Sequence, residues 1–366
     1  MNKKIIIAIV AVVVVLAIGL GLFFGLRNTN PDDSTTAGST TAGTTAAPTY
    51  KLGLGVVASA TASDASTEGN GVGEADVTVA AVIVDGEGRI VKAYIDVMQL
   101  ALEYTNAGVA VANDEFKSKQ ELGDDYGMKN PNYATEFWGS AKEWYEHAAI
   151  FCNALEGKTL SEAVALMATE GANAYKGVES LYNAGCTIYI SDFVAAVQKA
   201  FANAKTANVT ANSTLNIGMA VSQDTIDATA TEAGSNAADL TIIAAAMNGE
   251  TVAATSTDCV QISFGFTNVG ASTFDETAEI KTKLELGDDY GMKNPNYATE
   301  FWGSAKEWYE HAAAFDAACA GKTVSQIVAL MATEGANAGK GVESLYNAGC
   351  TIYISDFIAA AAKLAD

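Results

Sequence analysis

Positive charge, histidine and paired cysteine are all scarce in this 366-residue chain. Its 21 Lys+Arg stand against 43 Asp+Glu, a formal charge of −22. Without a basic stripe there is no footprint for a nucleic-acid backbone. The same deficit disfavours flat adhesion to an anionic bilayer. Five cysteines, an odd number with no C-x-x-C pair, form neither a disulfide framework nor a zinc-spaced set. Each is expected to be a small buried residue. Only two histidines occur, His147 and His311. No nucleophile or scissile-bond motif accompanies them, so they are expected on a solvated helix face, with Glu143 one turn before His147. A P-loop is missing too: Cys152 and Asp316 stand where the first glycine of GxxxxGK[ST] belongs. Asp124-Asp125 lacks the D-x-[DN]-x-[DN]-G continuation of a calcium loop.

What the chain does contain is a repeat. Residues 121–149 (ELGDDYGMKNPNYATEFWGSAKEWYEHAA) recur letter for letter at 285–313. The same offset of 164 residues brings 165–196 onto 329–360, where only Tyr175/Gly339 and Val194/Ile358 differ. Two like units are therefore expected, each long enough to bury a core. A composition that is 49% hydrophobic supports folding rather than disorder.

Ahead of the repeats, Lys3-Lys4 precede Ile5–Leu26, a run of apolar residues and glycines. About 22 residues suffice for a helix to cross a bilayer. No A-x-A site follows closely, and no cysteine is present for lipidation. The lysines favour a cytoplasmic N-terminus, with the rest of the chain outside the cell. The Thr/Gly/Ala-rich stretch that follows reads as a tether.

Each unit begins with strands. In the first, Leu52–Ala60, Ala75–Val84 and Arg89–Val97 are small, apolar or β-branched. The last two are joined by the turn Asp85-Gly86-Glu87-Gly88. In the second, Asn248-Gly249 is the hairpin signal between Asp239–Met247 and Thr251–Ile262. The repeated block then supplies a surface loop rich in glycine and asparagine. From Ser140, a capping box with Glu143 predicts a helix with Trp144, Ala148, Phe151 and Leu155 on one face. Thr159/Glu162 and Thr323/Gln326 start further helices, and Gly157 suits a C-cap. Cys186–Ile190 reads as a short extended segment, and Ser191 as the cap of a closing helix.

Two constellations carry chemistry. Tyr126, Tyr133, Phe137, Trp138, Trp144 and Tyr145 crowd one loop, suited to stack on a flat ring, to line a sugar site, or to anchor the loop. The second is a strand pair ending in VDGEGRIVKAYID together with a closing Gly-x-Thr-Ile segment before a capped helix. This pairing resembles the FMN-binding domain of extracytoplasmic flavoproteins, a family that includes C-type subunits of sodium-pumping and Rnf-type redox complexes and flavin-bearing bacterial surface proteins. The resemblance implies FMN held by a phosphoester at the end of a [S/T]-G-A-[T/S] motif. Carried over, the acceptors are Thr187 and Thr351 and the motif glycines Gly185 and Gly349. Tyr126, Trp138, Tyr290 and Trp302 are the candidate ring or ligand contacts. The chain departs from the motif in three places: Ala184 and Ala348 at its first position, Cys186 and Cys350 at its third, and Leu181 and Leu345 for an upstream Asp.

The expected architecture is α+β: two tandem repeats, each an antiparallel sheet packed with helices, behind an N-terminal transmembrane helix. The divisions fall at 1–27 (cytoplasmic tip and anchor), 28–49 (linker), 50–206 and 207–366 (FMN-binding-like repeats). The expected role is a single-pass cell-membrane protein that carries electrons through FMN outside the cell, with no catalytic residues or metal ligands. Its partners would be the membrane and a membrane redox protein. The alternative is a flavin-free bivalent or surface-structural module that contacts cell-wall glycan or a partner protein through the aromatic loops.

Overall fold

The computed structural model describes residues 49–366 apart from 137, 301, 302 and 366. The expected anchor, nearly all of the tether, and Trp302 lie outside the described residues. No described helix is long and apolar enough to cross a membrane.

The described chain is a mixed α/β structure with two antiparallel sheets and helices. In the first unit β1 (Tyr50–Ser63), β2 (Gly71–Val84) and β3 (Ile90–Tyr104) form a meander. Helices α1 (Lys119–Leu122), α2 (Trp144–Leu155), α3 (Leu160–Val164), α4 (Glu179–Asn183) and α5 (Ser191–Ala202) follow. A short β4 (Lys205–Ala207) then pairs with β1, giving the order β3-β2-β1-β4. The second unit repeats the plan with β5 (Thr214–Ile226), β6 (Gly234–Asn248), β7 (Thr251–Phe266), α6 (Lys283–Leu286), α7 (Trp308–Cys319), α8 (Val324–Val328), α9 (Glu343–Ala348) and α10 (Ser355–Ala362). The strands run several residues beyond the apolar segments that predict them, because their polar ends still pair.

The middle strands show why the two sheets meet. In β2 the last eight residues are all buried, which a sheet covered on one face cannot produce. Val79, Ala81 and Ile83 face the other sheet, whereas Ala80, Val82 and Val84 face the helices. β6 divides likewise: Ile242, Ala244 and Ala246 point inward, and Ile243, Ala245 and Met247 point to the second helical layer. Side chains on a strand alternate between faces, so each central strand serves two cores. The layers are thus helices, sheet, sheet, helices, and the inter-sheet core belongs to both units.

The contact between units is reciprocal. Tyr104 and Phe266, at matching strand ends, stack with ring centroids 4.5 Å apart. The Ala65 N–H donates to Gly270 O at 2.7 Å, and the Ala228 N–H donates to Gly108 O at 2.8 Å. Lys199 pairs with Glu285 at 2.6 Å, and Lys363 with Glu121 at 2.7 Å. Each contact has its counterpart with the units exchanged, the mark of an approximate two-fold axis. The closing helices lie directly on the sheets where a side chain is missing. A Cβ on Gly55 would fall 2.1 Å from Ala196 O, and one on Gly218 2.0 Å from Ala360 O.

Several local expectations shift. The N-cap of α2 is Glu143 rather than Ser140, and its N–H donates to Glu146 Oε2 at 2.8 Å; Ser140 lies outside the helix. The first residue of α5 is Ser191, with Ile190 as N-cap. The expected extended segment Cys186–Ile190 is instead irregular, with a bend at Ile188, φ −123° and ψ 13° at Ile190, and a single bridge between Tyr189 and Lys176. The capping boxes at Thr159/Glu162 and Thr323/Gln326 form as read.

Candidate functional site

The repeated loop is tied from within by polar groups. Glu143 is buried, and its carboxylate accepts the N–H of Met128 at 2.8 Å and of Lys129 at 2.9 Å. The Asn130 N–H donates to Ser140 O, and the Ser140 N–H to Met128 O, closing the loop's neck. Asn130 Nδ2 donates to Trp138 O at 3.1 Å. Tyr145 OH donates to Asp124 Oδ1 at 3.1 Å. The expectation that aromatic anchors order this loop holds for some rings and not for others: Trp144 is buried and Tyr126 and Tyr145 pack against the core, whereas Trp138 is 61% exposed and Tyr133 47%. Around the exposed rings, buried carboxylate, amide and hydroxyl groups fix the backbone.

The histidines also differ from expectation, for both are 1% exposed. His147 Nε2 lies 2.9 Å from Ser140 Oγ, and its Nδ1 lies 3.3 Å from the Thr187 amide nitrogen. His311 repeats the arrangement with Ser304 and Thr351 at the same distances. The Gly349 carbonyl also sits 2.9 Å from His311 Nδ1. A neutral ring therefore finds partners in either tautomer. Burial is the largest influence and holds both imidazoles below the ordinary histidine pKa. The expected pairing with Glu143 does not form, since that carboxylate is spent on the loop amides. Each histidine instead clamps the Gly-Cys-Thr segment to the preceding long helix.

That segment makes a tight turn. Gly185 has φ 111° and Gly349 φ 110°. A Cβ on Gly185 would fall 2.7 Å from Lys142 Cε. Cys186 and Cys350 are fully buried, and burial pushes their thiols up to about 11 and about 12. They are protonated at neutral pH and unsuited to act as nucleophiles. All five cysteines are free.

Thr187 follows this turn and opens onto a groove of about 670 Å³, within the range of small-molecule sites. Its walls include Tyr126, Trp138, Trp144 and Tyr189, so three of the candidates from sequence, Tyr126, Trp138 and Thr187, meet in one place. Gly185 shapes the turn from behind.

Two lysines that belong to no motif of the sequence complete the groove. Lys119 Nζ stands 4.9 Å from the centre of the Tyr126 ring and 5.6 Å from Trp144; Lys176 Nζ is 5.2 Å from Tyr189. Neither ammonium is in an ion pair among the described residues. No Asp or Glu lines the groove. In a chain of charge −22 such a wall concentrates positive potential beside aromatic faces. The available signal was repetition: Lys119 recurs as Lys283, and Lys176 as Lys340.

The second unit matches in part. Lys283 sits 5.1 Å from the Tyr290 ring centre and 5.5 Å from Trp308; Lys340 is 5.3 Å from Tyr353. Gly349 and Thr351 hold the same turn. A further hollow of about 530 Å³ lies beside the second loop, with Asp288, Asn294 and Tyr297 in its lining. Among the described residues no three His, Cys, Asp or Glu side chains come together as a metal site. In comparisons with known proteins, no family model, no curated protein and no solved structure matches the chain.

Proposed function

We propose that the protein carries a planar, anionic ligand of the flavin mononucleotide class in the groove beside Thr187, and uses it for electron transfer outside the cell. In this reading the units are FMN-binding-like repeats on an N-terminal membrane anchor, and a membrane redox protein supplies the electrons. The observation that carries it is the groove's composition among the described residues: aromatic rings, two lysines outside any ion pair, a threonine hydroxyl and no carboxylate. The residues fit the group. Tyr126, Trp138 and Tyr189 offer faces for an isoalloxazine ring, and Lys119 and Lys176 offer charge for a phosphate. The Thr187 amide is occupied by His147, which leaves the hydroxyl as the part of that residue free to carry a phosphoester. When bound, FMN supplies the redox chemistry, and the protein supplies position and environment.

The test is production of the full chain alongside a flavin transferase, followed by intact-mass and peptide analysis. The expected result is FMN mass on peptides that contain Thr187 and Thr351. Unmodified peptides that nevertheless bind free FMN would restrict the reading to non-covalent binding. Unmodified peptides with no FMN binding would end it.

The exposure of Trp138, Tyr133 and Tyr297 favours a second reading, in which the loops contact cell-wall glycan or a protein without flavin. Two such contacts on one tether gain avidity when both engage. Replacing Trp138 and Trp302 by alanine should then release the protein from wall preparations. Unchanged retention counts against this reading.

A further inference from the structure

His147 connects two walls of the groove. On one side it meets Ser140, whose backbone closes the neck of the loop that carries Trp138. On the other it meets the amide of Thr187. Trp138 and Thr187 both line the groove. The histidine contacts recur at His311, Ser304 and Thr351.

The hydrogens available around Ser140 assign the tautomer. Its Oγ meets the Lys142 N–H, the Lys142 carbonyl and His147 Nε2. The amide brings its own hydrogen and the carbonyl brings none, so the single hydroxyl hydrogen goes to the carbonyl. His147 Nε2 must then donate to Oγ, which leaves Nδ1 bare to accept the Thr187 N–H at 3.3 Å. A carbonyl faces the same nitrogen. Gly349 O lies 2.9 Å from His311 Nδ1, and Gly185 O is the corresponding neighbour of His147. From a neutral ring with its hydrogen on Nε2 this carbonyl receives nothing; for an imidazolium it is a ready acceptor. One added proton therefore exchanges the two bonds: Nδ1 stops accepting from the threonine amide and donates to the glycine carbonyl.

The surrounding charges are few and named. Glu143 and Glu146, at the start of the same helix, favour the proton on His147, and Lys142 disfavours it while lying 3.7 Å from Glu146. At His311 the corresponding influences are Glu310 and Lys306. The turns themselves contribute the protonated thiols of Cys186 and Cys350. Burial places the exchange below the ordinary histidine pKa.

We infer that His147 and His311 are proton-operated latches on the threonine turns. The neutral ring holds the threonine amide; the protonated ring holds the glycine carbonyl, releases the amide and places a positive charge behind the threonine. Acid therefore tightens the hold of the Thr187 groove on an anion, and a bound anion in turn draws the proton onto the ring. The link to a ligand rests on the flavin-class reading above, whereas the exchange of bonds does not.

The experiment has two arms, both on the full chain in detergent between about pH 8 and pH 5. In the first, amide hydrogen exchange is followed at Thr187 and Thr351. Ile190 and Ile354 serve as references in the same turns, because their N–H groups are held by Tyr175 O and Gly339 O, each at 2.8 Å. Exchange at the threonines should rise relative to the references as the pH falls, and His147→Gln combined with His311→Gln should abolish the rise. A constant ratio in the parent would overturn the latch, whether or not the variant folds well. In the second arm, FMN and riboflavin are titrated by quenching of flavin fluorescence. Relative to the glutamine variant, which cancels the titration of the FMN phosphate itself, FMN should bind the parent about fivefold tighter at the acid end, the low end of coupling between linked sites. Riboflavin, which lacks the phosphate, should show no such gain. An equal gain for both flavins, or none for FMN, would overturn the coupling to an anion. FMN that binds nowhere would end the flavin reading and the coupling with it, while the exchange arm alone decides the latch.

Discussion

The two units solve one packing problem in two ways. Beneath the third strand of unit 2, Asp316 accepts from the hydroxyls of Thr255 and Thr257, each at 2.7 Å, and from the Thr257 N–H at 3.1 Å. The corresponding positions of unit 1 hold Cys152, Ala93 and Ile95, where the thiol meets the Ile95 backbone and two apolar side chains replace the hydroxyls. Around these sets the block at 121–149 and 285–313 is identical. The difference teaches that the sheet and the strand-facing side of the long helix vary together, while the surface that builds the groove does not. Burial raises the Asp316 carboxyl above its ordinary pKa, so this network is costly to hold unless complete.

The largest expected effect tests where the halves agree. Asp96 and Asp258 are both buried at the junction of the third strand and the first short helix. Each carboxylate accepts two backbone N–H groups, and burial, which outweighs them, pushes each up to about 7. The folded state therefore holds these protons at pH values where the unfolded chain has released them. Stability from this source is fully present below about pH 4 and is lost as pH rises to about 7. The loss is of the order of several kcal/mol. The depressed histidines act in the opposite sense below their ordinary pKa, so the difference between variants isolates the carboxylates. Asp96→Asn and Asp258→Asn should each remove about half of this dependence in urea unfolding measured from pH 4 to 8. A curve identical to that of the parent would remove the assignment.

A smaller effect breaks the comparison at the network. Asp316→Ala should cost about 3 kcal/mol by urea unfolding, because two hydroxyls and an amide lose their acceptor. Thr255→Ala, Thr257→Ile and Asp316→Cys combined recreate the unit 1 set and should recover most of that loss. Failure to recover would show that the two solutions depend on surroundings beyond these three residues. The smallest effect lies at the reciprocal ion pairs, which are partly exposed. Lys199→Met or Lys363→Met should cost less than about 1 kcal/mol each, and by similar amounts if the two-fold relation holds.

How much of this was legible in the sequence depended on range. The hairpin turns were readable because glycine and asparagine act on their immediate neighbours, and Gly88 and Gly249 both take positive φ. The merging of the sheets joins residues some 160 positions apart, and its trace in the sequence was the unbroken apolar ends of β2 and β6. The sequence pointed to a helix start at Ser140 with Glu143. The structure starts the helix at Glu143 instead, because the Ser140 hydroxyl is bound to the Lys142 carbonyl and lies beside His147, and Glu146 closes the box. The burial of His147 was hidden for the same reason as the groove: its partner Thr187 is 40 residues away. Tyr126 and Trp138 stood out by residue type and Thr187 through the resemblance to the FMN-binding motif, but their meeting point and the lysines between them needed the fold.

The most direct measurement is the visible absorption spectrum of the full chain, purified after production with a flavin transferase and excess flavin, then freed of unbound ligand. The account predicts the two visible flavin bands, retained through gel filtration and reduced when Trp138 and Tyr126 are replaced by alanine. A colourless protein with the parent fold would contradict it.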